Sequence, residues 1–308
     1  MITVYHSSSK ARKLSKIETI KAGSWIHVVE PTDEDLNRLV KELGLDRDIL
    51  DDVTDIYEAP RIEIAENESY IFTRYCHPEG QDIATEPLLI VYTNNNIITI
   101  MRRSDVVLDN LLKGDIGVLT TQKTKMFLHI LEAINRSYRT QLNSVSKQVL
   151  RMRSRLRQAE ISNIEFVSFI ELEEDLNEFL TALQPQTAVL TSLRTGRYMK
   201  LYEEDKDQME DLALNTTELV ELTKSRLRTL VNIRQAYDTI ATNNLNKIFK
   251  RLTSIGIFLT VPMIYVGFWG MNVALPLADR EDAALVISIL TLATTLSVYY
   301  FFRKKSWV

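Results

Sequence analysis

Residues 252–271 read LTSIGIFLTVPMIYVGFWGM, about 20 positions without a charged side chain. Residues 283–302, AALVISILTLATTLSVYYFF, repeat the pattern. At 1.5 Å rise per residue, about 20 helical positions cross a hydrocarbon core ~30 Å thick. These two runs decide the fold. They read as two transmembrane helices, about 252–271 and 283–302, joined by a short hairpin. Two helices buried in a soluble core would be the alternative, but uncharged runs this long at the end of a chain that is 25% charged speak against it.

The flanks orient the hairpin. Lys247, Lys250 and Arg251 precede the first run, and Arg303, Lys304 and Lys305 follow the second. The connecting loop sets only Arg280 against Asp279, Glu281 and Asp282. Basic flanks stay on the cytoplasmic side, so both termini are expected in the cytoplasm, with the chain in the inner membrane. Residues 1–20 lack the apolar core of a signal peptide, so export of the amino-terminal part is not expected.

Lys and Arg (37) nearly balance Asp and Glu (41), which argues against a nucleic-acid partner. The one cysteine, Cys76, excludes an internal disulfide and sits in an alternating apolar run that predicts a buried thiol. No phosphate-cradling loop, paired CxxC or HExxH is present, and His6, His27, His77 and His129 lack ligand spacing. No nucleophile, base and orienting group can be assembled, so no enzyme is expected.

Upstream, the chain reads as α+β. ITVYH and WIHVVE are predicted strands. A helix follows with Thr32 and Asp35 in capping-box spacing and Gly44 as its stop, then a short helix over about 47–54. RIEIAE, SYIFTRYCH, PLLIVYT and IITIMRR predict strands of one sheet, with turns at Asn67-Glu68, Pro78–Gly80 and Asn94–Asn96. From Asp105 the period becomes helical, over roughly 105–113, 121–159 and 163–195, with a kink expected at Pro185. The basic run RMRSRLR, at 151–157, reads as a solvated helix face paired with the acidic run 171–178. Between Gly196 and Gly256 there is no Gly or Pro, which predicts a very long stalk helix, about 90 Å, running directly into the first span. The expected domains are 1–115 (α/β), 116–251 (helical stalk and funnel) and 252–308 (transmembrane hairpin with a basic tail).

Steps of three and four along the first span pick out Asn246, Phe249, Thr253, Gly256, Thr260, Met263, Gly267 and Gly270. Small residues alone would suit helix packing. Hydroxyls and an amide on the same stripe point to a water-filled path. Two helices cannot enclose a pore, so a homo-oligomeric ring with this stripe inward is expected. Phe249 and Leu252, on or beside the stripe near its inner end, are candidates for a hydrophobic constriction, with helix packing as the alternative.

The triplet Gly270-Met271-Asn272 closes the first of two carboxy-terminal spans, with basic flanks on both sides of the hairpin. With the α/β amino domain, the long helix, the short outer loop and the tail RKKSWV, the sequence resembles the CorA magnesium transporters over essentially its whole length. The resemblance implies a funnel-shaped homopentamer in the lipid bilayer that conducts Mg²⁺ inward, often also Co²⁺ or Ni²⁺. It makes Gly270, Met271 and Asn272 the selectivity filter. Neutral carboxamides suit an ion that sheds its octahedral water shell reluctantly. The resemblance also implies intersubunit regulatory Mg²⁺ bound by Asp51, Asp52 and Asp211, giving feedback by cytosolic Mg²⁺. Asp279, Glu281 and Asp282 are expected to concentrate cations at the outer mouth.

Three features depart from the common pattern: Trp269 replaces the usual Tyr, the loop lacks Pro-Glu-Leu, and Gln235 stands where Asp is expected, with Asp238 a turn later. Zinc, cobalt or nickel transport is the near alternative reading, and a non-conducting membrane sensor the distant one.

Overall fold

The computed structural model describes all residues except 9–13, 80–81, 105, 114–118, 158–162, 274, 277–280 and 306–308; residues 79, 82, 155–157 and 163–166 are described in backbone only. The chain forms two compact units, Met1–Ile233 and Arg234–Val308.

The first unit is built on one seven-stranded sheet. Its strands are β1 (Ile2–His6), β2 (Ser15–Ile17), β3 (Ser24–Val29), β4 (Arg61–Ala65), β5 (Glu68–Glu79), β6 (Asp82–Tyr92) and β7 (Ile97–Met101), in the order β2-β1-β3-β7-β6-β5-β4. All pairs are antiparallel except β3 with β7, which run parallel with Val28 opposite Ile100. The chain therefore leaves the sheet after β3 and returns at the far edge as β4, with three strands between the two. In between it makes α1 (Asp33–Leu43), α2 (Arg47–Asp51) and a 3₁₀ turn (Asp52–Thr54). Thr32 and Asp35 form the expected reciprocal cap on α1, and Gly44 ends it in the left-handed conformation at φ 70°.

The central strands β3, β6 and β7 are buried on both faces, which is why they read as nearly continuous apolar runs. One face presents Ile26, Val28, Phe72, Leu89, Val91, Ile98 and Ile100 to Leu36, Leu39, Leu50 and Val53 of the short helices. The other presents Trp25, Ile71, Tyr75, Leu88, Ile90 and Met101, in one core with α4 (Lys123–Arg157), α5 (Asn163–Leu193) and the first part of α6 (Glu203–Trp269). A 3₁₀ turn (Val106–Leu108) and α3 (Asp109–Leu112) lead into α4. Asn135 Nδ2 donates to Thr216 Oγ1 at 2.9 Å and ties α4 to α6. Thr73 Oγ1 donates to Gln186 Oε1 at 2.7 Å and ties β5 to α5. Cys76 is 2% exposed, the buried thiol expected.

Three local expectations shift. The β4–β5 hairpin turns at Glu66 and Asn67, both at positive φ (52° and 69°), one residue earlier than the sequence suggests; a glutamate is an unusual occupant of that region. Pro78 lies inside β5, opposite Ile83, not in the turn. From the acidic run, Glu178 accepts from the Thr85 hydroxyl at 2.6 Å, and Asp175 accepts from the Ile83 amide at 3.2 Å. These two acids serve the sheet.

α6 holds 67 residues and passes through the first unit into the second, with Pro262 inside it. α7 (Ala283–Lys304) completes the second unit. Both helices contain a window apolar enough to span a bilayer. The observed architecture is thus α+β, with the long helix and two carboxy-terminal membrane-length helices.

Candidate functional site

The hairpin of the second unit has a packed side and an open side. Ser254, Phe258, Val261, Tyr265 and Trp269 recur at helical spacing along α6, with Ser254 fully buried and the other four partly buried. Phe258 meets Tyr299 and Phe302 of α7 at ring-centroid distances of 5.9 and 5.8 Å. This is the face that α7 covers. At 100° per residue the stripe Asn246, Phe249, Thr253, Gly256, Thr260, Met263, Gly267 and Gly270 lies about 160–280° round from Ser254, on the far side. All eight are exposed in the protomer.

A bilayer demands that buried polar groups find partners. Thr260 Oγ1 donates back to the Gly256 carbonyl at 2.8 Å, and Ser254 Oγ to the Lys250 carbonyl at 2.8 Å. α7 does the same with Ser288 and Thr291. A back-bonded hydroxyl has spent its proton but keeps a lone pair outward, so Thr260 can present oxygen to a hydrated cation. A β-carbon added at Gly256 or Gly267 would meet nothing within 4 Å, so these glycines are not required by contacts inside one chain.

The end of α6 is tightly made. The Gly270 amide donates to the Val266 carbonyl at 2.9 Å, and a β-carbon on Gly270 would stand 2.9 Å from that same oxygen. Only glycine closes the helix here without a backbone shift. Trp269 stacks on Tyr265 at 5.9 Å with planes 10° apart, and its Nε1–H donates to the Pro276 carbonyl at 3.4 Å. Asn272 follows in the turn, exposed, and Met271 is 53% exposed. Glu281 and Asp282 are exposed at the start of α7; Asp279 lies outside the described residues.

Phe249 and Leu252 are 62% and 64% exposed and both lie on the stripe side of α6. At 100° per residue Gln235, Asp238 and Thr242 also fall on that side, about 200–260° round from Ser254, and all are exposed. Thr242 was legible in the sequence had the spacing been carried below Asn246.

Of the three carboxylates expected to bind regulatory metal, Asp51 and Asp52 are paired within the chain. Asp51 pairs with Arg47 at 2.8 Å, and Arg47 also holds Asp33 at 2.7 Å. Asp52 pairs with Arg61 at 2.7 Å. Asp211 is exposed on α6. Among the described residues, no three or more His, Cys, Asp or Glu side chains gather as a metal site in one chain.

Residues 21–304 match the family model described as CorA-like Mg²⁺ transporter protein. A protein named cobalt/magnesium transport protein CorA, from Methanocaldococcus jannaschii, is 26% identical over 295 residues, covering 92% of this chain and 91% of that protein. One of the same name from Thermotoga maritima is 20% identical over 296 residues, covering 92% and 83%. The complete structure of the CorA magnesium transporter from Methanocaldococcus jannaschii matches with a TM-score of 0.88 at 24% identity, over 100% of this chain and 99% of that one.

Proposed function

The chain belongs to the family of CorA-like Mg²⁺ transporter proteins, and from that membership we propose that it assembles as a ring of identical subunits, a pentamer, that passes divalent cations across the cytoplasmic membrane. Mg²⁺ is the principal ion. The observation that carries the reading is the two-sidedness of α6: α7 covers one face, and the glycine, hydroxyl and amide stripe occupies the opposite one. With α7 outside, that stripe faces the ring axis. It supplies neutral oxygens along a path, and neutral oxygens can hydrogen-bond the water shell that Mg²⁺ gives up slowly.

In this arrangement Asn272 carboxamides ring the outer mouth and recognise the hydrated ion. Gly270 allows the turn that presents them. Phe249 and Leu252 form the constriction lower down, where an apolar ring closes the path by excluding water. Asp238 offers the acidic ring near the inner end that Gln235 does not. Glu281 and Asp282, with Asp279, raise the local cation concentration at the entrance. Transport is inward and driven by the membrane potential, about 4.6 kcal/mol per 100 mV for a double charge. Both termini are cytoplasmic. The function is ion passage, and no covalent chemistry is assigned.

The test is uptake into proteoliposomes under an imposed potential, with Mg²⁺, Co²⁺, Ni²⁺ and Zn²⁺ supplied separately. Mg²⁺ flux is expected to exceed the others. Co²⁺ is the favoured second ion, because both curated relatives are named for cobalt as well as magnesium. Asn272→Ala is expected to lower flux at least about ten-fold, the loss of roughly 1.4 kcal/mol of recognition, with the oligomer unchanged. Wild-type Mg²⁺ flux through the alanine ring would remove Asn272 from the filter.

A further inference from the structure

Six cations gather at one end of the hairpin. Phe258 touches both Tyr299 and Phe302, which fixes the axial register of the two antiparallel helices. At 1.5 Å per residue, Lys247, Lys250 and Arg251 then lie within about 15 Å, along the axis, of the level of Arg303, Lys304 and Lys305. All six side chains are exposed. Among the described residues none of the six has a carboxylate partner, whereas other surface cations of this chain, such as Arg47 and Arg139, do.

Their direction is as informative as their number. Counted at 100° per residue from Ser254, Lys247, Lys250 and Arg251 fall within about 60° of the face that α7 covers. The stripe with Asp238, Thr242 and Asn246 falls on the other side. Between Asp238 and Trp269, α6 therefore separates its charges: neutral and acidic groups on the path side, cations on the outer side. Cations lining a divalent-ion path would repel the ion, so the segregation suits both surfaces. Just beyond the cations on α7 stand Tyr299 and Tyr300, 41% and 69% exposed, aromatic rings with polar tips of the kind that settle at a membrane–water boundary.

We propose that Lys247, Lys250 and Arg251 with Arg303, Lys304 and Lys305 form a headgroup site for anionic phospholipid on the outer side of the hairpin. The proposal rests on the orientation given to α6 under the proposed function. The guanidinium groups and ammonium groups hydrogen-bond the phosphodiester oxygens, and the apolar flank of α7 receives the acyl chains. The site makes the protein's environment selective: an acidic leaflet is bound in preference to a zwitterionic one.

The experiment is native mass spectrometry of the full chain in neutral detergent, titrated with dioleoylphosphatidylglycerol or dioleoylphosphatidylcholine. The phosphatidylglycerol adducts are expected at about ten-fold lower lipid concentration. Replacing all six by glutamine is expected to abolish the preference, while exchanging Lys for Arg and Arg for Lys at the same positions keeps it. Should the six-fold variant fail to assemble, R303Q/K304Q/K305Q alone is expected to weaken the preference at least three-fold. Equal binding of the two lipids, or an undiminished preference in the assembled glutamine variants, overturns the site. Complete displacement of phosphatidylglycerol by millimolar inorganic phosphate also overturns it, since a free anion would then suffice. Binding is read without ion flux. A protein that prefers the anionic lipid but conducts nothing sinks the channel alone, and one that conducts without preference sinks the lipid site alone.

Discussion

Thr99 Oγ1 stands 2.9 Å from both Trp25 Nε1 and His27 Nδ1, in the buried sheet. The indole can only donate, so the hydroxyl accepts from Trp25 and is free to donate to a neutral His27. Burial holds His27 at about 4, below its ordinary 6.5. In the unfolded chain the imidazole binds a proton that the folded chain refuses. This contribution is therefore complete above about pH 6.5 and is lost as pH falls toward 4, by up to about 3 kcal/mol in order of magnitude. Denaturant unfolding of the full chain at pH 7.5, 5.5 and 4.5 should show the decline, and His27→Phe should flatten it. A wild-type slope in that variant would assign the decline to other groups. Gly270 is the second residue of consequence. The Val266 carbonyl lies 2.9 Å from where an alanine β-carbon would sit. Gly270→Ala is expected to shift the turn and cut Mg²⁺ flux several-fold with Asn272 intact; full flux would show that the turn yields at no cost.

At the scale of the element, α6 is decided by its faces. Ser254 is buried where α7 packs, while Phe249 and Leu252 project from the other side. Under the proposed function this side faces the ring axis and not lipid, so two large apolar side chains more than 60% exposed there need a partner or a role within the ring. Either a neighbouring helix covers them or they close a path by excluding water. Phe249→Asn and Leu252→Asn separate the two. Under the gating reading each raises basal Mg²⁺ current in an intact oligomer; under the packing reading each lowers oligomer stability and leaves the current at or below wild type. Glycine positions add a control. Alanine at Gly256 or Gly267 meets nothing inside the chain, so any loss it causes arises between chains.

For the whole molecule the question is what a second copy adds. Asp51 and Asp52 already pair with Arg47 and Arg61 at the surface, so Mg²⁺ must compete with partners worth about 0–1 kcal/mol each. Those pairs are weak enough to open. We propose that Asp52 and Asp51 of one subunit and Asp211 of the next share a Mg²⁺ when it is plentiful and hold the ring closed. A hundred-fold excess over Kd stabilises the bridged state by about 2.7 kcal/mol. Mg²⁺ is accordingly expected to slow proteolysis of the amino-terminal unit and to inhibit current from the inner side. Asp52→Ala with Asp211→Lys should blunt both responses. If protection and inhibition stay at wild-type strength in the double variant, the sensor lies elsewhere.

Local chemistry was enough to read much of this protein from its sequence. The Thr32–Asp35 cap, the Gly44 stop, the two uncharged runs and the unbroken stretch that became α6 all depend on residues a few positions apart. Hydrophobic transfer and helix ends act over that range, so no tertiary contact was needed to see them. The stripe was legible for the same reason, being a spacing within one helix. Strand order was not. The parallel β3–β7 pair and the short edge strand β2 depend on which buried surfaces meet after a long excursion, and alternation within a strand carries no record of its neighbour. Nor could spacing say which side of α6 would be covered. The contacts of Phe258 with Tyr299 and Phe302 put α7 on the side away from the stripe; spacing within α6 marks the stripe but carries no record of what covers the opposite face. The arginine partners of Asp51 and Asp52 were hidden in part as well. Arg47 is one helical turn from Asp51, but Arg61 reaches Asp52 only because β4 is drawn back to the sheet edge beside the 3₁₀ turn. Tertiary structure decided what each exposed group faces, since that depends on surfaces brought together from far along the chain.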